Sequence, residues 1–101
     1  MEAYIIVSDP SMSYMQTMVN HGITYRRPVI CRLKFSTGGN WQYGTSGHFM
    51  NANGYRKYGS EIYVTDPNIK RIDKNASGGY YVTITELYNA THNHPARQMA
   101  Y

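Results

Sequence analysis

At 101 residues, the chain is long enough for a single domain, residues 1–101, with one hydrophobic core. Its one cysteine, Cys31, excludes an internal disulfide, and no apolar run approaches the roughly 20 residues that cross a bilayer. The formal net charge of +4 comes from scattered basic residues, which permit an acidic partner but do not imply one. We therefore expect a soluble cytoplasmic protein with no membrane partner, and no cofactor is predicted.

The first third of the sequence predicts an edge strand, a helix and a central strand. Tyr4 to Val7 is a short β-prone run. Asp9-Pro10 predicts the start of a helix, with Asp9 as its cap, and methionines at helical spacing give that helix an apolar face up to Gly22. Pro28 to Phe35 predicts a strand, and from Cys31 onward apolar and basic residues alternate, as they do on a strand with one buried face. Cys31 belongs to the apolar face, so we expect a buried structural thiol.

A glycine-rich loop from Ser36 to Gly47 carries the aromatic residues Trp41 and Tyr43. A loop of this composition can form the wall of a substrate groove. It can equally be a wide connection between strands, with Trp41 folded back on the core. The sequence leaves both arrangements open.

The stretch from Gly47 to Pro67 predicts a β-hairpin. Asn53-Gly54 is a common two-residue turn, but the apolar run resumes only at Ile62. We therefore place the turn at residues 57–60 and expect a bulge, or a close backbone approach, at Gly54.

His48 opens the first strand of this hairpin, and Asp66 closes the second. In an antiparallel pair these positions lie at the same end, so the two side chains are expected to meet. An imidazole held by a carboxylate is the orienting half of a catalytic triad. Alternatively, Asp66 forms a turn with its own backbone before Pro67, and His48 bonds to that loop.

The last third predicts a strand from Tyr80 to Ile84 and a short helix capped by Thr85, followed by a frayed tail from His92 onward. The overall expectation is an α+β fold. One N-terminal amphipathic helix and one short C-terminal helix accompany an antiparallel sheet of about four strands. No metal site is predicted, because the histidines lack the cysteines that structural zinc sites add at fixed spacing.

Several of these pieces, in the same order, resemble the C-terminal half of papain-like cysteine peptidases. The most similar branch includes the bacteriocin-leader (double-glycine) processing peptidases. The shared pieces, spread over roughly residues 12 to 90, are Pro28-Val29-Ile30, Gly47-His48 and a strand that ends in Asp66-Pro67. The resemblance implies that His48 is the general base and Asp66 its orienting partner, with Trp41, Tyr43 and Gly47 in contact with a bound peptide.

The nucleophilic cysteine and the oxyanion-hole glutamine of that family lie upstream of the shared pieces, and no upstream segment of this sequence matches them. Cys31 occupies a structural strand position in the comparison. The resemblance therefore implies a cysteine-peptidase-like module, incomplete or catalytically degenerate, that binds an extended peptide. Whether the chain is an enzyme stays open at this point.

The alternative is a small non-enzymatic binding protein or inhibitor, for example one of phage or mobile-element origin that acts on a host enzyme. Eleven tyrosines and a basic balance suit a contact surface for a protein or peptide. A nucleic-acid partner is permitted by the charge, but no sequence motif supports it. In this reading, substitutions of Tyr, Arg or Trp41 on one face weaken binding, whereas changes at His48 and Asp66 matter little.

Overall fold

The computed structural model describes residues 5–24, 29–36, 38–41, 44–65 and 79–100. The elements are β1 (Ile6–Ser8), α1 (Met12–Thr24), β2 (Val29–Phe35), β3 (Thr45–Arg56), β4 (Glu61–Thr65), β5 (Gly79–Thr83), α2 (Ile84–Asn93) and β6 (Gln98–Ala100). The predicted α+β class is confirmed. The sheet has six strands in these ranges, where about four were expected. Neither of the described helices is long and apolar enough to cross a membrane.

The strands form one sheet in the order β1-β6-β2-β3-β4-β5, and every neighbouring pair is antiparallel. The clearest predicted strand, β2, lies inside the sheet between β6 and β3. The predicted N-terminal edge strand is confirmed as β1, which is at one edge of the sheet.

Side chains of the strands alternate between two faces, and both helices cover the same one. Along β2, Val29, Cys31, Leu33 and Phe35 are buried, whereas Lys34 between them is exposed. The buried strand residues form one core with Met15 and Val19 of α1 and with Leu87 and Ala90 of α2. The covered face of the sheet therefore holds the core. In the described ranges, no helix packs on the opposite face, which we call the open face.

The hairpin of β3 and β4 has its turn at residues 57–60, as predicted. The predicted irregularity at Gly54 is also confirmed, because the register shifts between Ala52 and Gly54. Lys57, Tyr58 and Gly59 all have left-handed backbone conformations, with φ of 54°, 59° and 84°. The side-chain amide of Gln16 on α1 donates a 2.7 Å hydrogen bond to the carbonyl oxygen of Gly59, which fixes this turn against the helix.

The predicted bounds of α1 are wrong at both ends. Ser11 caps the helix, since its Oγ accepts a 3.1 Å hydrogen bond from the N–H of Tyr14. Asp9 has a left-handed backbone instead, and its N–H donates to the carbonyl oxygen of Arg97 at 2.6 Å. At the other end the helix continues past Gly22 to Thr24. Gly22 is buried, and tertiary packing outweighs the weak helix propensity of glycine.

The predicted cap of the C-terminal helix is also wrong, because α2 begins two residues earlier than its predicted cap implied. Thr83 is the N-cap, and Thr83 and Glu86 form a full capping box. Thr83 Oγ1 accepts from the N–H of Glu86 at 3.0 Å, and Glu86 Oε1 accepts from the N–H of Thr83 at 2.8 Å. Of the predicted strand, residues 80–83 are confirmed in β5, whereas Ile84 is the first residue of the helix.

The predicted frayed tail is wrong as well. Residues 98–100 form β6, which lies between β1 and β2 and pairs with both. Met99 of β6 is 1% exposed and belongs to the core. A short segment without a strong β pattern is ordered here because it fills the gap between two other strands.

Glu86 also holds the turn of residues 38–41 against α2. Its two carboxylate oxygens accept hydrogen bonds from the main-chain N–H and the side-chain amide of Asn40, at 2.9 and 2.8 Å. Partial burial raises the pKa of Glu86, but hydrogen bonds from Asn40 and Thr83 outweigh it, so the pKa is below its ordinary value of 4.5.

Thr83→Ala should lower the free energy of unfolding by about 1 kcal/mol, because it removes the acceptor for the Glu86 N–H. The matched control is Thr85→Ala, on the exposed side of the same first turn, which should change it by less than about 0.5 kcal/mol. Urea titration of both variants measures the difference. Equal losses in the two variants would contradict the assigned cap.

Glu86→Gln should destabilise the protein most above pH 4.5, where the wild-type carboxylate is ionised. A carboxyl group whose pKa is lowered by folding stabilises the folded state above its unfolded pKa and loses that contribution as the pH falls. The difference between wild type and variant should therefore shrink as the pH is lowered through 4.5. If the difference in the free energy of unfolding is constant from neutral to acidic pH, the charge of Glu86 does not stabilise the folded state.

Candidate binding surface

The predicted catalytic residue His48 lies in β3, opposite Leu33 of β2. Directly opposed residues share a face, so His48 is on the covered face, where it is half-buried. Asp66 and Tyr43 lie outside the described residues, so the His48–Asp66 pair stays a prediction. The described part of the β3–β4 ladder ends with Thr65 opposite Asn51, three positions along β3 from His48.

Trp41, predicted either to wall a groove or to fold back, is folded back on the core. Its ring stacks on Phe35 with 4.0 Å between the ring centroids and 11° between the planes, and it is 8% exposed. Gly47 is exposed, and a Cβ placed on it would lie 3.5 Å from Nε2 of His94.

The prediction that Cys31 is a buried thiol is confirmed. Its side chain is 1% exposed and lies opposite Met50 in the middle of the β2–β3 ladder. Burial raises the pKa of the Cys31 thiol to about 12. A thiol must ionise and reach its substrate to act as a nucleophile, and Cys31 meets neither condition.

A histidine does meet a carboxylate in the structure, but not at the predicted position. Nε2 of His92 lies 3.0 Å from a carboxylate oxygen of Asp9, and Nδ1 lies 3.0 Å from the carbonyl oxygen of Tyr88. Because both ring nitrogens face oxygen partners, the ring has no nitrogen left to activate a nucleophile. This contact joins the end of α2 to the segment after β1. In the described ranges, no three His, Cys, Asp or Glu side chains are grouped closely enough to hold a metal ion.

The open face carries three aromatic side chains on three successive strands. Phe49 of β3 alternates with the buried Met50, Tyr63 of β4 lies between the buried Ile62 and Val64, and Tyr81 of β5 precedes the buried Val82. Phe49 is 56% exposed, which is unusual for a phenylalanine. Tyr63 and Tyr81 are opposite each other in the ladder, with their ring centroids 5.1 Å apart in an edge contact.

Gly79 makes room for the ring of Tyr63. Gly79 is opposite Thr65, so it lies next to Tyr63 on the same side of the β4–β5 pair. A Cβ on Gly79 would lie 2.7 Å from Cε2 of the Tyr63 ring, which is closer than two non-bonded carbon atoms approach each other. The glycine therefore permits the Tyr63 ring to extend across β5.

Each end of this aromatic row has an arginine beside it. The guanidinium of Arg32 lies 5.1 Å from the ring centroid of Phe49, and that of Arg56 lies 3.8 Å from the centroid of Tyr81. Both distances fall within the range of cation–π attraction. The positive charge is therefore placed directly over the aromatic surface.

Cations outnumber carboxylates among the described residues of the open face. Arg32, Lys34 and Arg56 point to this side, and Lys57 follows in the turn. The described carboxylate is Glu61, which lies 2.6 Å from Nε of Arg56 and 3.2 Å from Nζ of Lys57. Hydrogen bonds from these two side chains lower the pKa of Glu61.

An apolar groove of about 210 Å³ lies beside Phe49, at the β1 side of the open face. Its apolar walls are Ile6, Ile30, Phe49 and Ala100, together with Met99. Arg32 and Gln98 line its polar edge, where Nη1 of Arg32 donates a 3.2 Å hydrogen bond to Oε1 of Gln98. Ile6 is 65% exposed, so the groove is open to a partner.

None of Phe49, Tyr63, Tyr81 and Arg56 was predicted as a site residue from the sequence. Strand alternation contained the necessary signal, since Tyr63 sits between two apolar residues that both have to be buried. The pairing of Arg56 with Tyr81 could not be predicted, because it depends on the register of β3 against β4 and of β4 against β5.

No protein-family model matches the sequence, no curated protein is significantly similar to it, and no solved structure matches it significantly.

Cys31 should resist thiol reagents in the folded protein, because a pKa of about 12 leaves almost no thiolate at pH 8. Reaction with a maleimide, followed by mass spectrometry, should be slow in buffer and fast in denaturing urea. Thr17→Cys in a Cys31→Ala background is the control, since residue 17 is exposed on α1 and should react in buffer. Labelling of folded wild type as fast as this control would contradict the burial of Cys31.

Proposed function

We propose that this chain is a small non-enzymatic binding protein and that the open face is its contact surface. The observation that carries the proposal is the row of Phe49, Tyr63 and Tyr81 on the side of the sheet that neither described helix covers. Aromatic residues and arginine dominate the binding free energy of macromolecular interfaces.

The open-face residues contribute little to the core. Phe49 and Ile6 are more than half exposed, so most of their apolar surface stays in water in the isolated chain. Exposed apolar patches of this kind mark interaction surfaces in soluble proteins. Binding of a partner that covers Phe49 and Ile6 would be stabilised because it removes this apolar surface from water.

The same geometry offers little support for catalysis by the described residues. The thiol of Cys31 is inaccessible, and the imidazole of His92 has an oxygen partner at each ring nitrogen. The peptidase-like reading of His48 and Asp66 remains a prediction from the sequence resemblance. It requires a reactive cysteine, and the one cysteine of the sequence, Cys31, is buried.

Phe49→Ala should abolish partner capture while leaving the fold intact, because truncation of a central aromatic contact typically weakens binding by about 2 kcal/mol or more. Tagged wild type and variant are incubated with lysate of the native host, and the retained proteins and nucleic acids are compared.

Tyr55→Ala is the matched control, because Tyr55 is a 41% exposed aromatic residue of the same strand that lies opposite the buried Ile62, on the covered side. Material that is retained by wild type and by Tyr55→Ala, but lost with Phe49→Ala, is the predicted result. Equal retention by the two variants, or no specific retention by wild type, would contradict the proposal.

A further inference from the structure

We infer that the partner held on the open face is a single-stranded nucleic acid. The inference rests on the proposed function and adds to it the chemical class of the ligand. Four features of the described residues lead to it: the spacing of the rings, the arginines beside them, the excess of cations and a polar strip between the rings.

The aromatic side chains form two separate platforms. Phe49 makes one, and the neighbouring rings of Tyr63 and Tyr81 make the other. Tyr63 pairs with Gly54, so the platforms are roughly 15 Å apart along β3, at about 3.3 Å per strand residue. Sheet-based RNA-binding modules stack two or three unpaired bases on aromatic side chains, and every base offers a π-face for such a contact.

Each platform has a guanidinium group next to it that can pair with a phosphate of a bound strand. Arg32 lies beside Phe49, and Arg56 lies beside Tyr81. Lys34 is exposed at the end of β2, on the same side of the sheet as Arg32. A polyanion that follows the row of rings would therefore meet a cation at each platform.

Polar side chains lie between the two platforms. Asn51 and Thr65 are opposite each other in the β3–β4 ladder, between the positions of Phe49 and Tyr63. The side-chain amide of Asn53 donates to Oγ1 of Thr65 at 2.5 Å. Amide and hydroxyl groups can hydrogen-bond to the edges of unpaired bases, which a purely apolar protein interface would not need.

A protein partner could use the groove at Ile6 and Ile30 as well as the rings, but it does not explain the excess of cations over carboxylates on the open face. The described residues of the open face and its turn carry more cations than carboxylates, since Glu61 faces Arg56 and Lys57 while Arg32 and Lys34 add further positive charge. This charge is complementary to a phosphate backbone. A protein would instead have to present a matching acidic surface with pockets for three rings. The combination of cations and stacking platforms favours the nucleic acid.

Fluorescence anisotropy with labelled oligouridylate and oligothymidylate of about 12 nucleotides tests the inference, since single-strand-binding domains cover about 4–16 nucleotides. Wild type should bind at least one of them, and the comparison separates RNA from DNA as the natural ligand. A duplex of the same length should bind more weakly, because its bases are not available for stacking.

Two single substitutions separate stacking from other effects. Phe49→Leu keeps apolar bulk but removes the ring, and it should weaken oligonucleotide binding about fivefold to 100-fold. Tyr55→Leu makes the same kind of change on the covered side and should leave the affinity unchanged. Thermal unfolding of both variants checks that they are folded.

A third substitution tests the second platform without removing a contact residue. Gly79→Ala places a methyl group against the ring of Tyr63, which must then rotate away from β5. Since the ring is the movable partner, the fold should persist while the affinity for oligouridylate or oligothymidylate falls severalfold.

Salt dependence tests the role of the cations. Lys34→Gln should reduce the slope of log affinity against log salt by about 0.7, the contribution of one phosphate contact to a single strand. The corresponding control is Thr17→Gln on α1, which should leave the slope unchanged.

Binding that is equal for Phe49→Leu and Tyr55→Leu would overturn the inference, and so would duplex binding as tight as single-strand binding. Failure of wild type to bind either oligonucleotide at about 10⁻⁴ M, the weak limit of non-specific binding, would also overturn it. In that case the proposed function would still stand if the host lysate yielded a protein that Phe49→Ala loses. Loss of both results would remove the proposed function as well.

Discussion

The packing of both helices against one face of the sheet is the constraint on which the rest of the structure depends. It requires alternate residues of β2, β3 and β4 to be apolar, and those residues form one core with Met15 and Leu87. Each fully buried large apolar side chain contributes about 1.5–3 kcal/mol relative to leaving it exposed. The residues between them are left outside the core, so their chemistry is not set by folding. That freedom is what permits rings and arginines on the open face.

Carboxylates at the two ends of α2 connect this core to the periphery. At the first turn, Glu86 joins the capping box to the turn that carries Trp41. At the last turn, His92 contacts the carboxylate of Asp9, the residue after β1. The main-chain N–H of Asp9 donates a hydrogen bond to the carbonyl oxygen of Arg97, just before β6. The second connection brings β1 and β6 together at the sheet edge. Through it, Ile6 and Ala100 come to line the groove beside Phe49.

Local sequence patterns correctly predicted the elements that their own residues specify without a distant partner. The alternation from Cys31 to Phe35 predicted β2 and its buried face, and the late return of apolar residues at Ile62 placed the β3–β4 turn correctly. Elements that depend on distant partners were missed. The segment of β6 is a strand because β1 and β2 flank it, and Thr83 is the cap because the preceding strand ends there.

The candidate site shows the same division. Alternation around Tyr63 could have assigned it to the uncovered side from sequence, whereas the pairing of Arg56 with Tyr81 needs the register across three strands. The resemblance to papain-like peptidases pointed to His48, which lies on the covered face, and to Asp66, which lies outside the described residues. The described geometry places the exposed aromatic chemistry on the other side of the same strand, at Phe49.

The most direct test of the open face as the binding surface is an NMR titration of the isotope-labelled chain with a short oligouridylate, which follows aromatic and arginine side-chain resonances. We predict that the resonances of Phe49, Tyr63, Tyr81 and the Nε–H of Arg56 shift together and saturate at one affinity. The polar groove on the covered side, lined by Gln16, Asn20 and Tyr58, should stay unperturbed. Shifts concentrated in that groove, or no shifts at the aromatic rings, would contradict the claim that the open face is the binding surface.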